Sequence, residues 1–273
     1  MYPLGKQFEI DGSKAKSDEK CTYKGNHYRI TVLSERLVRL EYSPSGTFVD
    51  LPSQFAINRS FTFPEYQTKQ DAKFLEITTK YFRLTYVKEA HFSGSKVDPM
   101  KNLKITLFMG GRENDRVWYY GHPEVRNLGG NMISEDVNTP KNLKHGLYSL
   151  EGFASIDDSN TFLFNADGTI ETREKGSLDI YVFMYKDDFS LALKDYFRLT
   201  GNPELIPRYA LGNWWSRNTT YNEESVKELV FDFERRNVPL AVFLLDKDWH
   251  YRDVGKAKGL HTGFTFNKEL FPN

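Results

Sequence analysis

The chain has 273 residues, enough for one large domain or two smaller ones with a sizeable core. Its 37 Lys and Arg residues balance 37 Asp and Glu residues, which argues against nucleic acid or an anionic membrane as a partner recruited by bulk charge. Aromatic residues make up 15% of the chain, which favours pleated strands over a helical bundle. The single cysteine, Cys21, excludes an internal disulfide framework and a cysteine-based metal site.

The start of the chain carries no recognisable targeting signal. The segment MYPLGKQFEI lacks a basic region followed by an apolar stretch, and no window of about 18 apolar residues occurs anywhere. We therefore expect a cytoplasmic protein that contacts no membrane.

Short alternating segments fill the region from about residue 28 to residue 180. In LVRLEY, the side chains of Val38, Leu40 and Tyr42 fall on one face of a strand and the intervening ones on the other. LKITLF, FLEITTKYFRLTYV and the pair TFLF and TIETRE, which a turn separates, add further strands. The pattern predicts half-buried strands assembled as an antiparallel β-sandwich.

The hydrophobic period changes near the end of this region. Apolar residues recur at helical spacing over 189–199, and Gly201, Pro203 and Pro207 then interrupt the chain. We predict a domain boundary near Leu205, with a sandwich domain at 1–205 and a second domain segment at 206–273.

The second segment has the pattern of a βαβ unit. Residues 210–215 form a short apolar strand candidate, and 222–236 form an amphipathic helix that Asn222 can cap. Pro239 prevents its continuation. The apolar run LAVFLL at 240–245 shows no alternation, which is typical of a parallel strand covered on both faces.

The residues that follow this run could carry chemistry. Asp246 and Asp248 are two apart, so in an extended chain both carboxylates would project together from the carboxyl end of the strand, where α/β folds place ligand sites. Trp249 and His250 add an aromatic face and a polar tip, which suits a hydroxyl-rich ring. The alternative is a solvated turn after a strand. A metal site is not indicated, because the set lacks a recognisable ligand spacing.

GNWWSR places Trp214, Trp215 and Arg217 on the first strand of the unit, at the corresponding carboxyl end. Adjacent tryptophans in a strand point to opposite faces, so one packs while the other can face the ligand. The spacing does not tell which. The sequence contains no glycine-rich phosphate loop and no Gly-x-Ser-x-Gly elbow, and we expect no cofactor.

Three motifs in this order and spacing resemble the early barrel segments of glycoside hydrolase family 31: PRYALGNWWSR, LDKDWHY and TGFTFNKELFPN. DYFRLTGNPELIP and GLYSLEGFASIDDS resemble, more loosely, the end of that family's N-terminal sandwich. The resemblance implies a mainly β chain, in which a galactose-mutarotase-like antiparallel β-sandwich precedes the truncated start of a (β/α)8 barrel. It also implies an enzyme that cleaves terminal α-linked sugars with retention of configuration.

The resemblance also implies roles for individual residues. Asp246 and Asp248 match the aspartates that bind hydroxyls of the terminal sugar, and an acid at Asp248 resembles the glucosidase pattern, whereas xylosidase-type members often carry an aromatic residue there. Lys247 departs from the apolar residue usual between them, which leaves the fine specificity open. Arg217 and Trp215 match positions near the same pocket.

The family's nucleophile and general acid are aspartates on later barrel strands, so we expect no catalytic residue in this chain and no hydrolysis by it alone. Asp246 and Asp248 would approach one side of a sugar, whereas a retaining pair flanks the bond about 5–5.5 Å apart. A full barrel takes about 250 residues. We expect the incomplete barrel to expose apolar faces and unpaired edges, and therefore to pack on the sandwich, to self-associate or to be poorly ordered.

Other functions stay open. The chain could be a non-catalytic carbohydrate-binding or interaction module, although its end at LFPN, within a segment, favours a fragment. The parent could act on another α-glycoside such as an α-xyloside. A third interpretation, a sandwich epimerase that acts on free sugars, is weakened because no His and Glu pair can be assigned to one sandwich face. Glu151, Asp157 and Asp158, in a loop that could border the pocket, are expected to be turn and surface carboxylates.

Overall fold

The computed structural model describes residues 4–98, 101–111, 115–130, 144–252 and 261–273. The chain divides into two compact units, Met1–Pro203 and Glu204–Asn273, which we call the sandwich unit and the C-terminal unit. The division falls beside the boundary predicted near Leu205. That the two units are separate domains stays a prediction.

Two antiparallel sheets of five strands each form the sandwich unit. The strands of the first sheet, in spatial order, are β1 (Thr22–Lys24), β2 (Tyr28–Ser34), β3 (Leu37–Tyr42), β12 (Leu178–Phe183) and β9 (Ala154–Asp157). Those of the second sheet are β4 (Gln67–Gln70), β5 (Phe74–Thr78), β6 (Phe82–Val87), β7 (Leu103–Leu107) and β8 (Arg116–Tyr119). A short hairpin joins β10 (Leu163–Phe164) to β11 (Ile170–Glu171) across the predicted turn.

The main core lies between the two sheets. Val38 and Leu40 of β3 share one cluster of buried side chains with Leu84 of β6 and Ile105 of β7. All four are fully buried. The predicted fold class, a mainly β chain with an antiparallel sandwich, is confirmed.

The outer face of the first sheet is buried as well, which the alternation in LVRLEY did not indicate. Leu37, Tyr181 and Phe183 form a second cluster with Leu199 of helix α1 (Phe189–Thr200). The prediction of half-buried strands is therefore wrong for β3, because the helix and the neighbouring segments cover its second face.

Buried charges occupy the remainder of that outer face. The Arg39 guanidinium donates from Nε and Nη2 to the two oxygens of Asp179 at 2.8 and 2.7 Å. On the neighbouring pair of strands, Arg29 donates to both oxygens of Glu41 at 2.6 and 2.8 Å. Burial alone would raise the pKa of Asp179, but the charge and hydrogen bonds of Arg39, with Arg59 and Arg173, hold it well below its usual range.

Asp158 extends this network, so the expectation that it is a surface carboxylate is wrong. It is fully buried, and Arg173 bridges it to Asp179 with bonds of 2.7 and 3.0 Å. Ser53 and Thr161 also donate to it. Burial and the nearby charge of Asp179 raise the pKa of Asp158, against the attraction of Arg173.

The C-terminal unit contains the predicted βαβ arrangement. Strands β13 (Trp214–Thr220) and β14 (Val242–Lys247) pair in parallel, and helix α2 (Glu223–Arg235) connects them. Strands β15 (His250–Arg252) and β16 (His261–Phe266) follow as an antiparallel pair. Within the described residues the parallel strands form a two-stranded sheet and not a closed barrel.

The first strand of this unit begins later than predicted. Residues Arg208–Leu211 form a 3₁₀ turn, in which the backbone N–H of Ala210 donates to the carbonyl of Pro207 and that of Gly212 to Tyr209. These local bonds replace strand pairing. The assignment of 210–213 to a strand is therefore wrong.

The helix prediction is confirmed. Asn222 caps α2 by accepting a bond of 2.9 Å from the Ser225 backbone, and the Ser225 hydroxyl accepts from the Asn222 backbone at 2.9 Å. This reciprocal pair satisfies two N–H groups at the start of the helix.

The second parallel strand is less buried than its apolar sequence indicated. Leu244 of β14 is 38% exposed, and β14 pairs only with β13 among the described residues. The prediction that both faces are covered is wrong for this chain. Across the described residues, no helix has both the length and the apolar character needed to span a bilayer.

Candidate functional site

The carboxyl end of β14 presents the first of the predicted site residues. Asp246 is exposed, and its carboxylate has no hydrogen-bond or ion-pair partner in the described part of the chain. Leu245 pairs in register with Arg217 of β13, so alternation places Asp246 on the opposite face of the sheet from Arg217. An unengaged carboxylate at the end of a parallel strand is able to accept bonds from the hydroxyls of a ligand.

Asp248 does not project beside Asp246 as an extended chain would require. Its φ is 58°, in the left-handed region, because the chain turns immediately after β14. The Thr220 hydroxyl at the end of β13 donates to Asp248 Oδ2 at 2.5 Å, and Arg252 Nε lies 3.7 Å from Oδ1. The prediction that both carboxylates project together is therefore wrong, and the Asp248 carboxylate is held by Thr220 and Arg252 of the protein itself.

Trp215 lies near the start of β13 and not at its carboxyl end. Its ring packs edge-on against Phe233 of α2 at 5.4 Å between centroids, and its indole N–H donates to the Tyr221 hydroxyl at 2.9 Å. Of the two adjacent tryptophans, Trp215 is thus the one that packs. The predicted position of Trp215 at the ligand-facing end of the strand is wrong, because the 3₁₀ turn delays the strand.

Arg217 shares the helix-facing side of β13 with Trp215. It lines an open groove of about 680 Å³ between β13 and α2, together with Phe231 and Asp232. This groove lies on the other face of the sheet from Asp246. The structure therefore separates the six predicted site residues into two groups.

Trp249 and His250 lead into the hairpin of β15 and β16. The Trp249 ring contacts the His250 ring at 4.6 Å and the Phe266 ring at 5.2 Å between centroids. His250 is buried, and its Nδ1 lies 3.1 Å from the carbonyl oxygen of Tyr251. Both side chains thus take part in packing beside the turn that carries Asp248.

The sandwich unit brings His and Glu side chains together, which the sequence could not assign. His122 Nε2 lies 3.9 Å from Glu151 Oε1, and His145 Nδ1 lies 3.9 Å from Glu124 Oε2. The rings of Tyr119 and Phe153 pack against His122.

Two residues that hold Asp248 were missed from the sequence. Thr220 ends the first parallel strand, and the βαβ pattern could have placed it beside the end of the second. Arg252 had no such signal, because its position depends on the turn after Asp248. Among the described residues, no group of three or more His, Cys, Asp or Glu side chains is placed to hold a metal ion.

Parts of this sequence are similar to those of known proteins. Residues 203–273 match a family model described as the glycosyl hydrolases family 31 TIM-barrel domain. An α-xylosidase of Saccharolobus solfataricus is 33% identical over 99 residues, which cover 36% of this chain and 13% of the relative. α-Glucosidase 2 of Bacillus thermoamyloliquefaciens is 31% identical over 133 residues, covering 47% of this chain and 15% of the relative.

The fold has solved counterparts. A family 31 dextranase of Flavobacterium johnsoniae, crystallised with glucose, aligns with a TM-score of 0.55 at 16% identity, over 90% of this chain and 34% of the dextranase. At that identity the likeness shows the fold alone.

Residues 203–273 thus resemble the barrel domain of glycoside hydrolase family 31, and the resemblance read from residues 207–273 is confirmed. The chain spans only 13% and 15% of the lengths of the two curated relatives.

Proposed function

We propose that this chain is the N-terminal part of a retaining glycosidase that removes terminal α-linked glucose. The observation that carries the proposal is the unengaged Asp246 carboxylate at the carboxyl end of a parallel strand, within the segment that matches the family 31 barrel. Parallel α/β folds place ligand sites at that end of their strands. Asp246 is proposed to accept bonds from hydroxyls of the terminal sugar.

Asp248 has a different proposed part. Because Thr220 and Arg252 already hold its carboxylate, it shapes the pocket beside Asp246 and keeps an oxygen available for one further donor. Trp249 and His250 are proposed to pack behind it. Arg217 and Trp215, on the other face of the sheet, support α2 in this proposal and do not contact the sugar.

An α-xyloside is the second candidate substrate. One of the relatives is an α-xylosidase, whereas the acidic residue at Asp248 resembles the glucosidase pattern. The nucleophile and the acid of a retaining mechanism are proposed to lie on later barrel strands, as the resemblance to family 31 implies. We also propose that the chain alone is inactive, that it self-associates through exposed apolar side chains, and that the protein is cytoplasmic.

The test is hydrolysis of an aryl α-glucoside and an aryl α-xyloside by this chain and by a longer form that carries the rest of the barrel. We expect activity only in the longer form, with the glucoside preferred and the α-anomer released first. In that form, Asp246→Asn removes a charged hydrogen-bond acceptor, so kcat/KM should fall about 10- to 100-fold.

The matched control is Asp187→Asn, an exposed carboxylate of the sandwich unit, which should leave kcat/KM unchanged. Activity of the chain alone would contradict the placement of the catalytic pair. A preference for the aryl α-xyloside would show that the terminal sugar is xylose and not glucose. Inactivity of both forms on both substrates would favour the carbohydrate-binding module.

A further inference from the structure

A cavity of about 290 Å³ opens on the outer face of the first sheet, in the sandwich unit. Its floor consists of Thr22 and Lys24 of β1, Arg29 and Thr31 of β2 and Arg39 of β3, which lie side by side in register. Small-molecule sites in proteins span about 300–1,000 Å³. This cavity therefore suits a ligand at the small end of that range.

The deepest cationic group of the cavity keeps an unused donor. Arg39 is only 2% exposed, and its Nε and Nη2 are engaged by Asp179 and Glu41. Its Nη1 has no hydrogen-bond partner among the described residues. A guanidinium N–H that has no protein acceptor is free to donate a charge-assisted bond to a ligand oxygen.

Two further donors of the lining are unengaged. The Ser17 hydroxyl is buried and makes no hydrogen bond in the described part of the chain. Lys24 Nζ lies 5.2 Å from the centre of the Phe48 ring and has no carboxylate partner among the described residues. The three unused groups are thus two cationic donors and one hydroxyl.

The carboxylates of the lining are already engaged by cations. Asp50 Oδ1 lies 2.8 Å from Arg29 Nη1, and Glu19 Oε1 accepts from Lys16 Nζ at 2.7 Å. What the cavity offers a ligand is therefore mainly donors. Donors of this kind bind carboxylate and phosphate oxygens with charge-assisted bonds.

We propose that this cavity is a binding site for a small anion that carries a carboxylate or a phosphate group. Arg39 Nη1 and the Ser17 hydroxyl bind its oxygens in the interior, and Lys24 binds it at the mouth. The site uses no residue of the C-terminal unit, so this proposal does not depend on the proposed glycosidase function.

Titration calorimetry on the whole chain tests the site, with inorganic phosphate, glucuronate and neutral glucose as ligands at one fixed ionic strength. We expect phosphate or glucuronate to bind and glucose not to bind. Lys24→Met removes one charged hydrogen bond from an exposed position, so affinity should fall about tenfold. Ser17→Ala should weaken the binding of the same anion.

Lys20→Met is the matched control, because Lys20 is an exposed lysine of the same segment that does not line the cavity. It makes the same change in net charge and should leave affinity unaltered. Binding of phosphate alone, or of glucuronate alone, supports the site and identifies the group it prefers. Failure of both anions to bind at millimolar concentration, equal binding of glucose, or an equal loss in Lys20→Met would overturn it.

Discussion

The sandwich unit and the C-terminal unit bury their apolar side chains to different extents. Leu37 and Leu40, on opposite faces of β3, are fully buried, since the second sheet covers one face and α1 covers part of the other. In the C-terminal unit, Leu205, Leu211 and Phe231 are 100%, 76% and 65% exposed.

This difference in burial follows from the elements that each kind of sheet needs to cover its apolar faces. An antiparallel sandwich closes its core by packing its two sheets face to face, whereas a parallel sheet needs helices on both faces and further strands beside it. Here β14 has one strand neighbour and one connecting helix among the described residues. The sandwich unit thus contains the groups that cover its apolar side chains, while the C-terminal unit leaves several of its own exposed.

The largest expected effect tests the buried charges of the sandwich unit. Asp179→Asn leaves Arg39 and Arg173 without their shared carboxylate in a buried position, so the free energy of unfolding should fall by about 3–5 kcal/mol. Urea denaturation measures it. Asp187→Asn, at an exposed position, should change it by less than about 0.5 kcal/mol. Equal effects would show that the network does not stabilise the fold.

The same variant should also change how the free energy of unfolding depends on pH. The pKa of Asp179 is lowered in the folded state, so its contribution to stability is present above its unfolded pKa of about 3.9 and is lost as the pH falls below it. Asp158, whose pKa is raised, contributes with the opposite sign. Below about pH 4 the stability of Asp179→Asn should therefore fall less steeply than that of the unchanged chain.

A pair of leucine substitutions compares the two units directly. Leu40→Ala opens a cavity between the sheets and should cost about 2–5 kcal/mol. Leu205→Ala, at a fully exposed position, should change the free energy of unfolding by less than about 0.5 kcal/mol. Denaturant unfolding of both variants checks this, and similar losses would mean that Leu205 is covered in solution.

Local sequence patterns predicted where strands and helices lie better than they predicted which residues pack against them. The alternation in LKITLF and the capped helix after Asn222 depend on neighbours within a few residues, and both predictions are confirmed. The burial of Arg39 was not predictable, because its partner Asp179 lies 140 residues away along the chain.

The candidate site shows the same limit. The position of Asp246 at the end of a parallel strand is predictable, because the apolar run directly before it indicates such a strand without any knowledge of distant residues. The left-handed turn at Asp248 and the shift of Trp215 toward the start of β13 depend on backbone conformations that no spacing in the sequence specifies.

The smallest expected effect is local to the C-terminal unit. Asn222→Ala removes the side-chain acceptor of the Ser225 backbone N–H, and the loss of such a cap costs about 0.5–2 kcal/mol. Native-state hydrogen exchange should show faster exchange of the α2 amides and unchanged protection in β3. Asn218→Ala, an exposed asparagine in β13, is the control and should leave α2 unaffected. If β3 amides lost protection to the same extent, the two units would unfold as one, and the contrast between them would not extend to stability.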